Sequence, residues 1–195
     1  GGAGLLHARA EAGRVRRVHG DLHLANIALV EGVPVAFDCL EFDSELATID
    51  TLYDLAFLLM DLWQRRWRDS ANILFNRYLD LVGADEDGLA LMPLFLAVRA
   101  AIRAHVMAAQ GKPGEAAGFL DLALALLRDE WPRLVAIGGL SGSGKSTLAR
   151  AIGGTVGRAP GARILRSDVL RKRLGGVSPE QRLPTAAYTP DANAA

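Results

Sequence analysis

Apolar positions along the chain are spaced so as to predict most of its elements. Leu52, Leu55, Ala56, Phe57, Leu58, Leu59 and Leu62 make a helix over Glu45 to Trp67 apolar almost all round, which predicts a helix buried at the centre. Asp54 falls inside that run, where a carboxylate is costly without partners; the alternative is a solvated side shared with Asp50 and Asp61. Further helices are predicted at about 70–82, 86–110 and 114–130. Ser70 is placed to cap the first, Gly83 to stop it, and Gly111-Lys112-Pro113-Gly114 to break the chain before the last. Phe95, Leu96, Phe119, Leu122 and Leu126 are their core candidates, and Arg99, Arg103 and His105 share one helix, with His105 read as a packed or surface residue. Trp131-Pro132 ends the helical block, because proline cannot continue a helix.

On either side of that block the pattern turns strand-like. Ile27-Ala28-Leu29-Val30, a Glu31-Gly32 turn and Val33-Pro34-Val35-Ala36-Phe37-Asp38 predict a β-hairpin. Arg133 to Gly138, RLVAIG, suits a buried parallel strand, and Ala162-Arg163-Ile164-Leu165 a second one. Helices follow each of these strands, at Thr147–Ile152 and Val169–Leu174. Leu5 to Ala12 is helical in propensity and ends at Gly13, before a solvated basic patch at Arg14, Arg16 and Arg17. The expected fold class is α/β in two units: a mainly helical one over 1–131 with the hairpin, and a parallel α/β one over 132–195. Because the chain starts in mid-helix without methionine and ends in a Pro- and Gly-rich loop over 175–195, truncation at both ends is expected.

Composition sharpens the division. Half of the 195 residues are apolar and 23% are charged, as in a packed protein. The formal net charge of zero hides −7 over residues 1–131 and +7 over residues 132–195, a reversal that suits two units with different ligands. The basic part would attract nucleic acid, but the same excess suits a nucleotide site, and the second reading is preferred. Cys39 is the only cysteine, which excludes an internal disulfide framework and suits a reducing cytoplasm. The beginning of the chain lacks the apolar core of a signal peptide, and the longest apolar stretch, Leu55 to Met60, is too short to cross a bilayer, so no membrane role is expected.

The chemistry is densest at Gly139-Leu140-Ser141-Gly142-Ser143-Gly144-Lys145-Ser146-Thr147, which matches the phosphate-binding pattern G-x-x-x-x-G-K-[ST]. Its glycines let backbone N–H groups turn toward phosphate oxygens. Lys145 is placed for the β- and γ-phosphates, and Ser146 for Mg²⁺. The helix that follows presents its positive end to the same anion. ATP and Mg²⁺ are therefore the expected cofactors. Asp168, at the end of the second strand, lies where ligands bind in parallel sheets and is a candidate to accept a proton from a hydroxyl. Arg171, one helical turn later, would hold an anionic group or the developing charge. The alternative for Asp168 is a helix N-cap.

The second cluster is His19-Gly20-Asp21-Leu22-His23-Leu24-Ala25-Asn26, with Asp38 beyond the hairpin. The hairpin brings its ends together, so Asp21 and Asn26 enter it where Asp38 leaves, a grouping suited to phosphoryl transfer. H-G-D-x-H-x-x-N and the apolar-Asp step AFDCLEF resemble the aminoglycoside phosphotransferase-like branch of the protein-kinase-like fold. That resemblance implies Asp21 as catalytic base, Asn26 and Asp38 as Mg²⁺ ligands and His19 as a brace of the catalytic loop. It also implies that Asp54 hydrogen-bonds the loop backbone. G-D-x-H also looks like a binuclear metallophosphoesterase, although no G-N-H segment exists to complete that motif.

The P-loop with Asp168 and Arg171 resembles small P-loop kinases, the group that includes polynucleotide kinases and zeta-toxin-like or gluconate-type kinases. Jointly the chain resembles a bacterial fusion of the two kinds. The resemblance implies transfer of the ATP γ-phosphate to the hydroxyl of a small-molecule acceptor. A nucleotide-binding regulatory module with degenerate sites and a polynucleotide 5′-hydroxyl kinase remain as alternatives.

Overall fold

The computed structural model describes residues 2–140, 142–178, 180 and 181. The chain opens with helix α1 (Gly2–Glu11) and strand β1 (Val15–Arg17). It then forms a hairpin of β2 (Ile27–Val30) and β3 (Val33–Ala36), followed by β4 (Thr48–Asp50) and helices α2 (Thr51–Gln64) and α3 (Arg68–Leu81). A 3-10 segment (Gly83–Leu91) leads into α4 (Met92–Ala109) and α5 (Pro113–Leu126), and the P-loop region supplies α6 (Lys145–Gly153) and α7 (Ser167–Leu174).

The hairpin forms in the expected register, with Ile27 opposite Ala36 and Val30 opposite Val33. Glu31 and Gly32 at its turn have φ of 52° and 79°, the left-handed geometry a two-residue hairpin loop needs. α2 is buried almost all round. Leu52, Ala56, Leu59 and Met60 are wholly enclosed, packed by α3 and α4, while α5 folds back along α4 as an antiparallel hairpin. Each enclosed leucine contributes about 2 kcal/mol, which makes α2 the axis of the helical unit.

The central helix is shorter than the expected Glu45–Trp67. Thr48 and Ile49 are β-branched and pair antiparallel with Arg17 and Arg16, and Asp50 ends that pairing by accepting the Leu52 N–H at 2.8 Å as N-cap. Asp50 is also gripped by Arg9, whose Nε and Nη2 donate to its two oxygens at 2.7 and 2.8 Å. Arg9 further binds Asp85, at 3.2 Å, and Asp87, so α1 is tied to the start of α2 and to the 3-10 segment through a buried ion cluster. The predicted helix 86–110 is divided at Leu91, where a 3-10 run gives way to α4 with Pro93 in its first turn, the place where proline fits. By length and composition Gly83–Ala109 would suffice to cross a bilayer. It is broken at Leu91–Met92, and α4 packs Phe95, Leu96 and Ala100 inward with a buried Arg99, as a core helix does.

The predicted parallel strands are the main correction. Residues 133–138 and 162–165 form no strands and make no ladder with each other. Both instead line one cleft of about 560 Å³. Leu134 is 97% exposed, the opposite of a strand buried on both faces. The parallel sheet expected for 132–195 is therefore not formed among the described residues, although α6 and α7 both are. The expected loop at 175–195 falls mostly outside the described residues.

Candidate functional site

α2 fixes the first cluster from below. Asp54 Oδ1 accepts the N–H of Gly20 at 2.9 Å and Oδ2 that of His19 at 3.3 Å. Two helical turns further on, Asp61 Oδ2 accepts the N–H of Leu24 at 3.0 Å. Both carboxylates are buried, so the reading of Asp50, Asp54 and Asp61 as a solvated side does not hold. Burial pushes the Asp54 carboxyl up from its ordinary value, and the Gly20 N–H, Arg99 and the His19 N–H oppose the shift.

Arg99 of α4, placed in a helix by the sequence but with no role attached, completes the grip. It is buried, donates from Nη2 to the Gly20 carbonyl and from Nε to the Tyr53 carbonyl, each at 3.2 Å, and lies over the Tyr53 ring at 3.9 Å and Phe57 at 4.7 Å. Gly20 is thus held at its N–H by a carboxylate and at its carbonyl by a guanidinium. It has φ of 82°, and a Cβ there would stand 2.6 Å from Leu40 Cδ1.

On that base the loop presents its polar groups. Asn26 Nδ2 donates to the Asp21 backbone carbonyl at 3.0 Å and to its Oδ2 at 3.1 Å, which leaves the Asn26 oxygen as an acceptor. His23 Nε2 stands 3.5 Å from the same Asp21 oxygen. His19 donates from Nε2 to the Phe37 carbonyl at 2.8 Å, and its own carbonyl accepts the Leu40 N–H at 3.0 Å. The Phe37 N–H goes to the Asn26 carbonyl at 3.0 Å, so Asp38, the next residue, is carried to the loop by a tied neighbour. Asp38 itself is exposed with φ of 60°. The Asn26 and Asp38 oxygens are hard donors of the kind Mg²⁺ takes, and in that sense the residues fit the ion. No group of three or more His, Cys, Asp or Glu is placed to hold a metal among the described residues, so the cluster a binuclear phosphoesterase requires is not assembled around Asp21 and His23.

The second cluster lies in the P-loop region. Gly139, Gly142 and Gly144 have φ of 146°, 78° and 83°, conformations that other residues rarely adopt, and a Cβ at Gly139 would come 2.8 Å from Ser143 Oγ. α6 starts at Lys145, which folds back to donate from Nζ to the carbonyls of Gly139 at 2.8 Å and Leu140 at 2.6 Å. The cation of this loop is thus occupied by the loop's own carbonyls. Lys145, Ser146 and Asp168 line the same cleft, floored by Ala149, Ile152 and Gly153. Thr147 is exposed and does not line it, and Ser141 lies outside the described residues.

Asp168 stands in the first turn of α7, which begins one residue earlier, at Ser167; it does not cap the helix. Its oxygens take Arg166 in a fork, Nε at 3.1 Å and Nη2 at 2.6 Å. The Arg166 hydrogen bonds hold its carboxyl below the usual range, against a smaller effect of burial. Arg171 follows one turn on along α7 and is not among the residues lining the cleft. No residue of the 19–38 cluster lines the cleft either, so the two sites are separate.

Comparison with known proteins bears on these sites unequally. The chain is 37% identical over 176 residues to uncharacterized proteins of Mycobacterium bovis (Mb2027c) and Mycobacterium tuberculosis (Rv2004c and MT2060). The match takes in 87% of this chain and 34% of each relative, so the chain spans about a third of the length of the curated relatives it matches. No solved structure matches it. Residues 134–195 match the family model described as AAA domain, a stretch that takes in the P-loop, α6 and α7.

Proposed function

We propose that the protein is an ATP-dependent phosphotransferase with two kinase-type units, which transfers the γ-phosphate to a hydroxyl of a small molecule. The observation that carries this reading is the convergence of Lys145, Ser146 and Asp168 on one cleft. Backbone N–H groups at Gly142, Ser143 and Gly144 would hold phosphate oxygens together with Lys145, and the Ser146 hydroxyl would hold Mg²⁺. When bound, the ion supplies neutralisation of phosphate charge. Lys145 would exchange the Gly139 and Leu140 carbonyls for phosphate oxygens. Asp168, kept ionised by Arg166, is a weak base. That suits orienting an acceptor hydroxyl and taking its proton only as the oxygen bonds to phosphorus. Arg171 would approach the transferred group if the cleft closes on its ligand.

The helical unit is read in the same terms. Asp21 would be its base, held toward Asn26, with the Asn26 and Asp38 oxygens as Mg²⁺ ligands. The grip of Asp54, Asp61 and Arg99 on residues 19–24 supports this, since three buried charges spent on one short loop imply that its shape matters.

The test is titration calorimetry of ATP·Mg²⁺ against the 195-residue chain and its Lys145→Ala variant. Binding by the wild type that weakens roughly tenfold or more in the variant is expected. Equal affinity in the two would remove the P-loop assignment, and with it the reading.

A further inference from the structure

The P-loop region and the helical unit meet along α3, and the contact is polar and directional. Residues 160–164 run past that helix. Asn72 Nδ2 donates to the carbonyls of Pro160 at 3.1 Å and Ala162 at 2.9 Å. One turn further, Asn76 Nδ2 donates to the Ala162 carbonyl at 3.0 Å, and its Oδ1 accepts the Ile164 N–H at 2.6 Å. The groups bound sit on alternate residues, as along the edge of a strand. Asn72 as a donor and Asn76 as both donor and acceptor thus supply what a neighbouring strand would have supplied. The fit is close: a Cβ on Gly153 would lie 2.3 Å from Asn72 Oδ1.

Next to this edge one carboxylate holds the cleft wall at two points. Glu86 accepts from Arg163 Nε at 2.9 Å and from Arg173 Nη1 at 3.0 Å. Arg163 lines the cleft, and Arg173 ends α7, whose first turn carries Asp168. Glu86 is itself firmly mounted, because Asp85 and Asp87 on either side of it both bind the buried Arg9. The carboxylate therefore reaches out from the best-anchored part of the helical unit.

Resting on the reading of the cleft as a nucleotide site, we propose that Glu86 is a positioning residue of that site. From outside the cleft it fixes, through Arg163 and Arg173, where the Asp168-bearing wall stands relative to Lys145. Without its charge the wall keeps the asparagine bonds and the Arg163–Asp80 pair at 2.8 Å but loses the charge-assisted bonds that Arg163 and Arg173 make to Glu86. The helical unit is then part of a site that it does not line.

The experiment uses the 195-residue chain as wild type, Glu86→Gln and Glu86→Asp. Amide hydrogen exchange is read over residues 160–174 and 52–62, and ATP·Mg²⁺ affinity by calorimetry. Glu86→Gln is expected to raise exchange severalfold over 160–174, to leave 52–62 unchanged and to weaken nucleotide binding by roughly three- to tenfold, with partial recovery in Glu86→Asp. Unchanged exchange over 160–174, or raised exchange with unchanged affinity, overturns the positioning role. If Glu86→Gln also loosens 52–62, Asn76→Ala, which loosens the same wall without removing a charge, is judged by the same two readouts. A wild type that binds no nucleotide sinks the reading of the cleft. A wild type that binds, beside a Glu86→Gln variant that binds equally, sinks only the proposal for Glu86.

Discussion

At the scale of single residues, the informative positions are buried charges that serve backbone groups. Asp54 satisfies two N–H donors of the 19–20 turn, so Asp54→Ala leaves both unpaired in an enclosed place. The expected loss is about 2–4 kcal/mol of folding free energy, measured by urea denaturation; a loss below about 0.5 kcal/mol would mean that water replaces the carboxylate. Asp54 could be read from the sequence because a lone carboxylate in an apolar run needs an explanation. Arg99 could not. An arginine in an amphipathic helix reads as a surface residue, and its burial depends on Tyr53, Phe57 and the Gly20 carbonyl meeting it from distant positions. Asp61 was missed for a related reason: only its spacing of two turns from Asp54 hinted that both face the same loop.

At the scale of elements, periodicity identified the helices and the hairpin well and identified isolated strands poorly. The β2–β3 register follows from a local turn, and the α2 core from a pattern carried within one helix. The β1–β4 pair joins mixed polar and apolar residues of three-residue strands across thirty-odd positions of chain, which no local pattern announces. The opposite error occurred at 133–138, where apolar content implied a strand but a strand also needs a partner within hydrogen-bonding distance. Leu134 there faces solvent, so Leu134→Lys is expected to change stability by less than about 0.5 kcal/mol, as for an ordinary surface position. A shift above about 2 kcal/mol in a thermal or urea melt would show instead that Leu134 is packed in solution. The P-loop residues were legible because their chemistry is written as a motif. The closure of Lys145 onto its own loop carbonyls was not, since it depends on coordinates alone.

For the whole molecule, α3 is the element both units share. Phe75 and Leu79 pack into the helical core, while Asn72 and Asn76 bind residues 160–164. Units joined in this way unfold together when the contact is stronger than the difference between their own stabilities. Tryptophan emission, whose three sources Trp63, Trp67 and Trp131 all lie within residues 1–131, and exchange at α6 and α7 are expected to report one coincident urea transition. Two midpoints separated by more than about 1 M would mean that the units melt independently.

The buried Arg9 has a consequence for the order in which the chain acquires its structure. α1 is only ten residues long, too short to persist by itself in water, and its main anchors lie 41, 76 and 78 residues further along. During synthesis, therefore, α1 leaves the ribosome long before Asp85 and Asp87 exist to receive its guanidinium. Until the 3-10 segment has emerged, Asp50 is the one partner in this ion cluster available to Arg9. α1 is thus fastened by a segment made well after it, and that same segment also carries Glu86 toward the P-loop region made later still.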